Sequence, residues 1–557
     1  MAANTLRANQ IALQVVGQNI ANANTPGYIR EEVLLSPAPS QRYGGVMLGL
    51  GVEVEAVVQK IDSFLEERLR GSLSDRCDAE TQESNYMQLE GIIGELSDTD
   101  LSTAMSNFFN SISEVLNQPE NISVRNLAVL QGYTLATDIN RLADRVADMR
   151  ADCNGRVINM AGDINRLVEE VRTLNVQIAL VEGGQVSQSD AVGLRDKRLA
   201  AMESLAELID VQVKEQASGG VAIYSGGDFL VFEGIAREVE VQLQSNRGLA
   251  SAGIHMAGTG AELQTTSGQL SGLITSRDEI LGGFLDNLDD FAATLAFEFN
   301  KLYSRGQGLA GFQQLASEFA VDDAAAALNN AGLEFTPQNG SFQVMVYNQK
   351  TAMTRTTDVI VDLNGHGDEM SLAGLTAALD AIDGISAAAA TDGKLTITSD
   401  SADERFAFSG DTSNVLAALG LNTFFSGYDA QSIGINEVVR SDPATFAASL
   451  GGIGADTRNA VELAAMLDRP IPSKNGASLA VLYDRLTSET TQSSAIAQSA
   501  AEGLRIFEQT LRGQKMATSG VNLDEEAVRM LAYQRAYQAS ARYIAALDEL
   551  LGVIVSL

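Results

Sequence analysis

The sequence predicts a multidomain α + β protein: a coiled-coil-like helical rod built from both termini, with β-rich outer domains inserted in the middle. Three observations carry that expectation. Apolar residues recur every seven positions from about Ser123 to Val181 and again at both ends of the chain. The period falls to two in internal stretches that begin near Val211 and Leu333. A chain of 557 residues is too long for one hydrophobic core, which sets an expectation of about two to four domains.

The longest periodic region supplies the rod. Ile139, Val146, Cys153, Met160, Leu167, Leu174 and Val181 form one row. Leu135, Leu142 and Met149 start a second, which shifts by one residue to Val157, Ile164, Val171 and Ile178. Such a seam offers a narrow apolar stripe to a partner helix, although a long helix of a globular bundle gives the same spacing. At 1.5 Å per residue the helix would be roughly 90 Å long. Gly155 and Gly162 are expected to weaken or bend it. Upstream, one amphipathic stretch carries Met87, Ile92, Ile93 and Leu96, and the next carries Leu101, Met105, Phe108, Ile112 and Leu116. A loop near Ser97 to Asp100 separates them, and Pro119 closes the second.

Strands are expected at Val211–Val213, Val221–Tyr224 and Val239–Leu243, with turns at Gly219-Gly220 and Gly226-Gly227. A helix returns from about Gly272 to Leu302. A second β-rich module runs from about Leu333 to Gly427. Its clearest hairpin joins Gly384–Ala390 to Lys394–Thr398 through Asp392-Gly393, and Leu372 to Ile382 reads as helix. A Pro, Ser and Gly linker near Asp468 to Asn475 precedes a helical end. The resulting segments are 1–60, an axial helix and turn motif; 61–210, a helical rod; 211–320, β-rich with a returning helix; 321–430, a β-rich outer insertion; 431–475, a linker; and 476–557, a helical region ending in an axial helix.

Both ends carry stripes. Leu6, Leu13 and Ile20 repeat every seven residues, with Val16 and Ala23 beside them. Pro26-Gly27 suits the centre of a type II turn. At the other end Leu523, Met530, Tyr537, Ile544 and Leu551 form a row, with Tyr533, Leu547 and Ile554 adjoining and Ser540 interrupting. Asn522 is placed to cap that helix, with Glu525 reaching back as in a capping box. A lone helix in water cannot hide such a stripe, so these residues are expected to pack against each other and against neighbouring subunits.

Composition limits the function. The net charge of −34 disfavours binding to nucleic acid or to an anionic membrane. No apolar run is long enough for membrane insertion, and no cleavable leader is visible. Cys77 and Cys153 make no metal-ligand pattern. His255 and His366 accompany no nucleophile motif. Gly258-x-Gly260 and Gly49-x-Gly51 lack the third glycine of a dinucleotide fingerprint. Asp362-x-Asn364-x-His366-Gly367 lacks the twelfth-position glutamate of a calcium loop, which is Ala373, and reads as a polar turn. Asp524, Glu525 and Glu526 read as capping and solvated acids. No catalytic, cofactor or metal residue is expected, and the chain is not expected to be an enzyme.

The Asn22-Ala23-Asn24-Thr25-Pro26-Gly27-Tyr28 stretch resembles the N-terminal signature of the flagellar axial proteins of rod, hook and junction. Ser519 to Glu526, containing Asn522, Leu523, Asp524 and Glu525, with Gln534 to Ala539, is similar to the matching C-terminal signature. The Leu194-Arg195-Asp196-Lys197-Arg198-Leu199 and Phe297 to Leu302 segments place the resemblance nearest the hook-associated protein 1 family, where His commonly stands in place of Tyr303. Gly340 to Gly420 resembles the small β-rich motif of hook-associated and flagellin-type outer domains. The N-terminus is about a turn or two shorter than in that family, which makes Met1 a candidate internal start. The resemblance implies a structural subunit joining hook to filament in the bacterial flagellum, needed for filament assembly and motility. It further implies an extracellular position after type III export. Implied partners are copies of the chain in a ring, hook protein, a second junction protein (hook-associated protein 3) and a flagellar export chaperone. A hook or distal-rod subunit is the alternative.

Overall fold

The structure, a computed structural model, describes residues 1–556 except Pro26, 95–100, 183–190, Ala217 and Ala455, with Tyr43 by its backbone alone. Leu96 and the loop expected near 97–100 lie outside the described residues. The chain divides into two compact units, each gathered from segments distant in sequence. One takes Met1–Tyr86, Ala151–Asp278 and Ser494–Leu557; the other takes Met87–Arg150 and Glu279–Ser493.

In the first unit the N-terminal helix (Ala2–Asn22) buries Ala8, Ala12, Val15, Val16 and Asn19. It leads into an antiparallel ribbon, Glu31–Pro37 with Val52–Gln59, whose register slips by one residue at Leu34/Leu35. Four antiparallel strands follow in the order Gln212–Glu215, Val221–Ser225, Asp228–Phe232 and Ile235–Ala236. A hairpin then pairs Val239–Asn246 with Leu249–Met256. Its two-residue turn, Arg247-Gly248, takes positive φ at both positions, the twist that suits a tight hairpin.

The long helix spans Ile122–Val181 without a break at Gly155 or Gly162. A Cβ at either glycine would meet nothing within 4 Å, so the cost there is one of propensity, about 1 kcal/mol per glycine relative to alanine. Burial of the apolar rows outweighs it: Ile139, Val146, Cys153, Val157, Ile164, Val171 and Ile178 are all buried, whereas Val181 is exposed. In the first unit the chain's own elements cover the stripe. Asn85 of the helix Ser63–Gly94 accepts from the Cys153 thiol at 3.3 Å, and strands bond to polar side chains beside the stripe.

Asparagines fasten those strands. Asn165 Nδ2 donates to Val239 O at 2.8 Å while its Oδ1 accepts from Val239 N at 2.7 Å. Asn154 treats Ala250 O and Ala252 N the same way. Asn175 pairs with both backbone groups of Val221 and also donates to Glu233 O. A side-chain amide has the donor–acceptor pair of a peptide unit, so each asparagine extends strand pairing onto a helix face.

The second unit holds two cores. In the β-rich one, Gly340–Asn348 lies between Met353–Val361 and Glu404–Ser409, and Leu395–Ser399 lies between Gln314–Ala316 and Ile385–Ala389. The expected hairpin is present, with Gly393 at φ +78° in its turn. Ser371 caps the helix Leu372–Asp380. This core reaches back to Phe312 and Leu315 and forward to Leu421.

The other core is aromatic. Neighbouring rings among Phe108, Phe299, Tyr303, Phe424, Phe425 and Phe446 have centroids 5.0–6.1 Å apart, from Phe424–Phe425 at 5.0 Å to Phe299–Tyr303 at 6.1 Å. Asn300 binds the backbone of Phe424 and Phe425 through both ends of its amide. Gly132 of the long helix admits the Phe424 ring, because a Cβ there would lie 2.6 Å from it.

Candidate assembly interface at the paired termini

The first unit brings the two ends of the chain together. Asn522 Oδ1 accepts from Asp524 N at 3.0 Å and starts the C-terminal helix, Leu523–Ser556. Glu525 does not complete a capping box; it faces Arg30 NH1 at 2.9 Å. Nor is Glu526 solvated. Its side chain is fully buried and takes Arg30 Nε at 2.9 Å and Asn19 Nδ2 at 3.1 Å. The acidic run was expected to serve as a cap and a polar face. Closure of the N-terminal helix over its first turn turns one acid inward.

The cluster is well connected. Asn19 also binds both backbone groups of Glu31 and accepts from the Tyr28 hydroxyl at 2.9 Å. Arg30 N donates to Ser519 O at 2.9 Å. Burial works against the Arg30 charge, but bonds to Glu525 and Glu526 overcome it and raise its pKa. Burial, then the charge of Glu31, pushes the Tyr28 hydroxyl up, so it stays a donor at neutral pH. Burial also raises the Glu31 carboxyl, partly offset by the neighbouring Tyr28 hydroxyl. An ionic pair removed from water persists only with such geometry.

The N-terminal signature is local scaffolding. Asn22 Oδ1 accepts from Thr25 Oγ1 at 3.3 Å, and Tyr28 N donates to Thr25 O at 3.2 Å. Gly27 takes φ +77°, as the expected turn requires, while Pro26 lies outside the described residues. Asn24 is exposed.

The two terminal helices pack together, and their chemistry runs antiparallel: Asn19, late in one, meets Glu526, early in the other. Leu6, Leu13 and Ile20 are half-buried, as are Met530, Tyr533, Tyr537 and Ser540. Leu523 is exposed, and so is every residue from Arg542 to Ser556. That run includes Ile544 (37 %), Leu547 (41 %), Leu551 (58 %) and Ile554 (65 %). Length explains the division. A helix of 21 residues spans about 32 Å and one of 34 residues about 51 Å, so the shorter leaves the last turns of the longer uncovered.

The histidines have no part here. His255 Nδ1 lies 3.1 Å from Gly260 O, and Asn364 Oδ1 accepts from His366 N in a polar turn. Both cysteines are free and buried, and burial pushes the Cys77 thiol up to about 11. Among the described residues no group of three or more His, Cys, Asp or Glu is placed to hold a metal, and no helix is long and apolar enough to cross a membrane.

Arg30, Asn19 and Glu526 were not singled out as site residues by sequence reasoning. One signal was present: Arg30 is the sole Lys or Arg between Arg7 and Arg42, set against an apolar strand.

Both ends and the middle match known families. Residues 1–28 match the model described as flagella basal body rod protein, and residues 513–557 that of the flagellar basal body rod FlgEFG protein C-terminal. Residues 86–319 match the flagellar hook-associated protein FlgK helical domain. Flagellar hook-associated protein 1 of Bacillus subtilis is 24 % identical over 590 aligned positions, covering 100 % of this chain and 97 % of the relative. That of Escherichia coli is 25 % identical, covering 99 % and 98 %. The solved flagellar hook junction protein FlgK from Burkholderia pseudomallei shares the fold, with a TM-score of 0.51 at 14 % identity over 81 % of this chain and 100 % of that one. Paired terminal helices with inserted β-rich modules, together with these matches, make the chain similar to the flagellar axial structural proteins. Within that class, the chain is similar in its helical domain and along its length to flagellar hook-associated protein 1.

Proposed function

We propose that this chain is the structural subunit that joins hook to filament in the bacterial flagellum, and that filament assembly and motility require it. One observation carries the reading: the paired termini leave the apolar row Ile544, Leu547, Leu551 and Ile554 in water. An apolar helix end of that kind is stable only when other helices cover it. In a ring of copies, neighbouring terminal helices would do so, with Leu6, Leu13, Ile20, Met530 and Tyr537 completing the packing within each subunit. One face then meets hook protein and another the second junction protein, a heterologous contact with no turnover of substrate. Before assembly the same row suits an export chaperone, and type III export places the protein outside the cell.

The alternative, a hook or distal-rod subunit, is favoured by the rod-protein matches at both ends. Against it stands the hook-associated helical-domain match over residues 86–319. Electron microscopy of a deletion strain separates the two. Hooks of full length without filaments are expected; absence of the hook itself would overturn the junction reading.

A further inference from the structure

A cleft of about 520 Å³ opens in the first unit between the helices Ser63–Gly94 and Val192–Leu208 and the strands Gln212–Glu215 and Val221–Ser225. Arg70 and Arg198 line it, with side chains buried to 6 % and 4 % exposure. Among the described residues Arg70 has no hydrogen bond or ion pair, and its Nε is buried without a partner. Arg198 NH1 is held at 2.9 Å by Asn175 Oδ1 and Gly219 O, but its Nε likewise lacks a partner.

The nearby acids are engaged elsewhere. Glu215 pairs with Arg195 at 2.8 Å, as does Glu182. Glu66 and Glu203 lie 3.0 and 2.6 Å from Lys515 Nζ. Glu67, on the rim, is exposed. The two guanidiniums thus line the cleft with no carboxylate in direct contact among the described residues. Glu66, Glu67 and Glu203 act on Arg70, and Glu215 and Glu182 on Arg198, only at longer range, so a directly bonded anion would offset burial better.

We infer that this cleft is a carboxylate receptor, in which Arg70 and Arg198 take one carboxylate group borne on a short aliphatic stem. The planar guanidinium fork matches a carboxylate in two parallel hydrogen bonds. Glu67 and Glu215 at the margin disfavour a more highly charged phosphate. Phe64, Leu199 and Met202 along the wall suit methylene groups. Burial lowers the pKa of both arginines, that of Arg198 to about 10 with the charge of Arg195 adding to the effect. An acidic side chain of another copy, or a free organic acid, would carry the same group.

The test uses the purified full chain with sodium glutarate against sodium chloride at equal ionic strength. Calorimetric titration should show saturable binding, and thermal unfolding should shift upward by about 2–4 °C at ligand excess. Arg70→Gln should weaken binding at least about tenfold, equivalent to one lost charged contact; Arg70→Lys serves if the glutamine variant does not fold. No saturable binding to the wild type would overturn the inference, and so would unchanged affinity in a folded Arg70 variant. Sedimentation distinguishes the sources. Self-association that glutarate disperses and Arg70→Gln lacks assigns the carboxylate to another copy; binding by a chain that stays monomeric assigns it to a free acid.

Discussion

Removing the Glu526 carboxylate would leave Arg30 buried with only Glu525, whose side chain is 57 % exposed, as counter-charge. Breaking a buried pair from one side costs roughly 3–5 kcal/mol, whereas replacing both partners with apolar groups is far less costly. Glu526→Ala should therefore destabilise the junction of the two ends by that amount, and Arg30→Met with Glu526→Leu should recover most of it. Hydrogen exchange at Asn19 to Glu31 reads the difference. Equal losses in the single and double variants would refute the pairing argument.

Asp196 gives a residue-scale pH dependence. Burial, then the charge of Glu31, raises its pKa from 3.8 to about 6. The folded state therefore binds the proton more tightly than the unfolded chain, and stability falls as pH rises from about 4 to about 6. Asp196→Asn keeps the acceptor for the Gln59 amide. It should be more stable than wild type at pH 7 and show a flatter profile across that window in thermal unfolding. A variant less stable at pH 7 would count against the assignment.

At the scale of elements, the C-terminal helix has two halves with different environments. Its first half is partly covered by the N-terminal helix, and residues 542–556 are in water. Amides from Met530 to Ala541 should exchange more slowly than those from Tyr543 to Val555 in the free protein, because tertiary packing supplies most helix stability. Uniform exchange along the helix would contradict the division. The same geometry sets the expectation for Ile544→Asp. The side chain is exposed in the single chain, so stability should change by no more than about 0.5 kcal/mol. Filament attachment should nevertheless be lost, because the aspartate would enter the proposed intersubunit seam. A swimming assay with export checked in the medium decides it; an exported variant that still bears filaments would refute the seam.

For the molecule as a whole, the β-rich module has boundaries set by its core rather than by its strands. That core takes in Phe312 and Leu315 and ends at Leu421, whereas Phe424 and Phe425 belong to the aromatic core with Phe108 and Phe299. Excision of residues 312–421 with a short Gly/Ser linker should leave the aromatic core folded. Excision of residues 333–427 should not: it removes two buried phenylalanines, each worth roughly 3–5 kcal/mol. Circular dichroism melting of the two variants checks this. A cooperative transition retained by the second and lost by the first would reverse the boundaries.

Local pattern sufficed for the long helices, for the hairpin at Asp392-Gly393 and for the Asn522 cap. Their signals lie within a few residues of one another: a seven-residue apolar row, a two-residue turn, a cap. The sequence also marked which residues are apolar enough to need covering. It could not say what covers them, because that depends on segments hundreds of positions apart. Beside the buried row on the long helix, strands from later in the chain are held by Asn154, Asn165 and Asn175. Glu526, in a run of acids that reads as solvated, is buried because Arg30 and Asn19 arrive from the other end of the chain. A polar side chain's type gives its capacity to bond but not its partner, and only the tertiary structure chooses between water and a buried group.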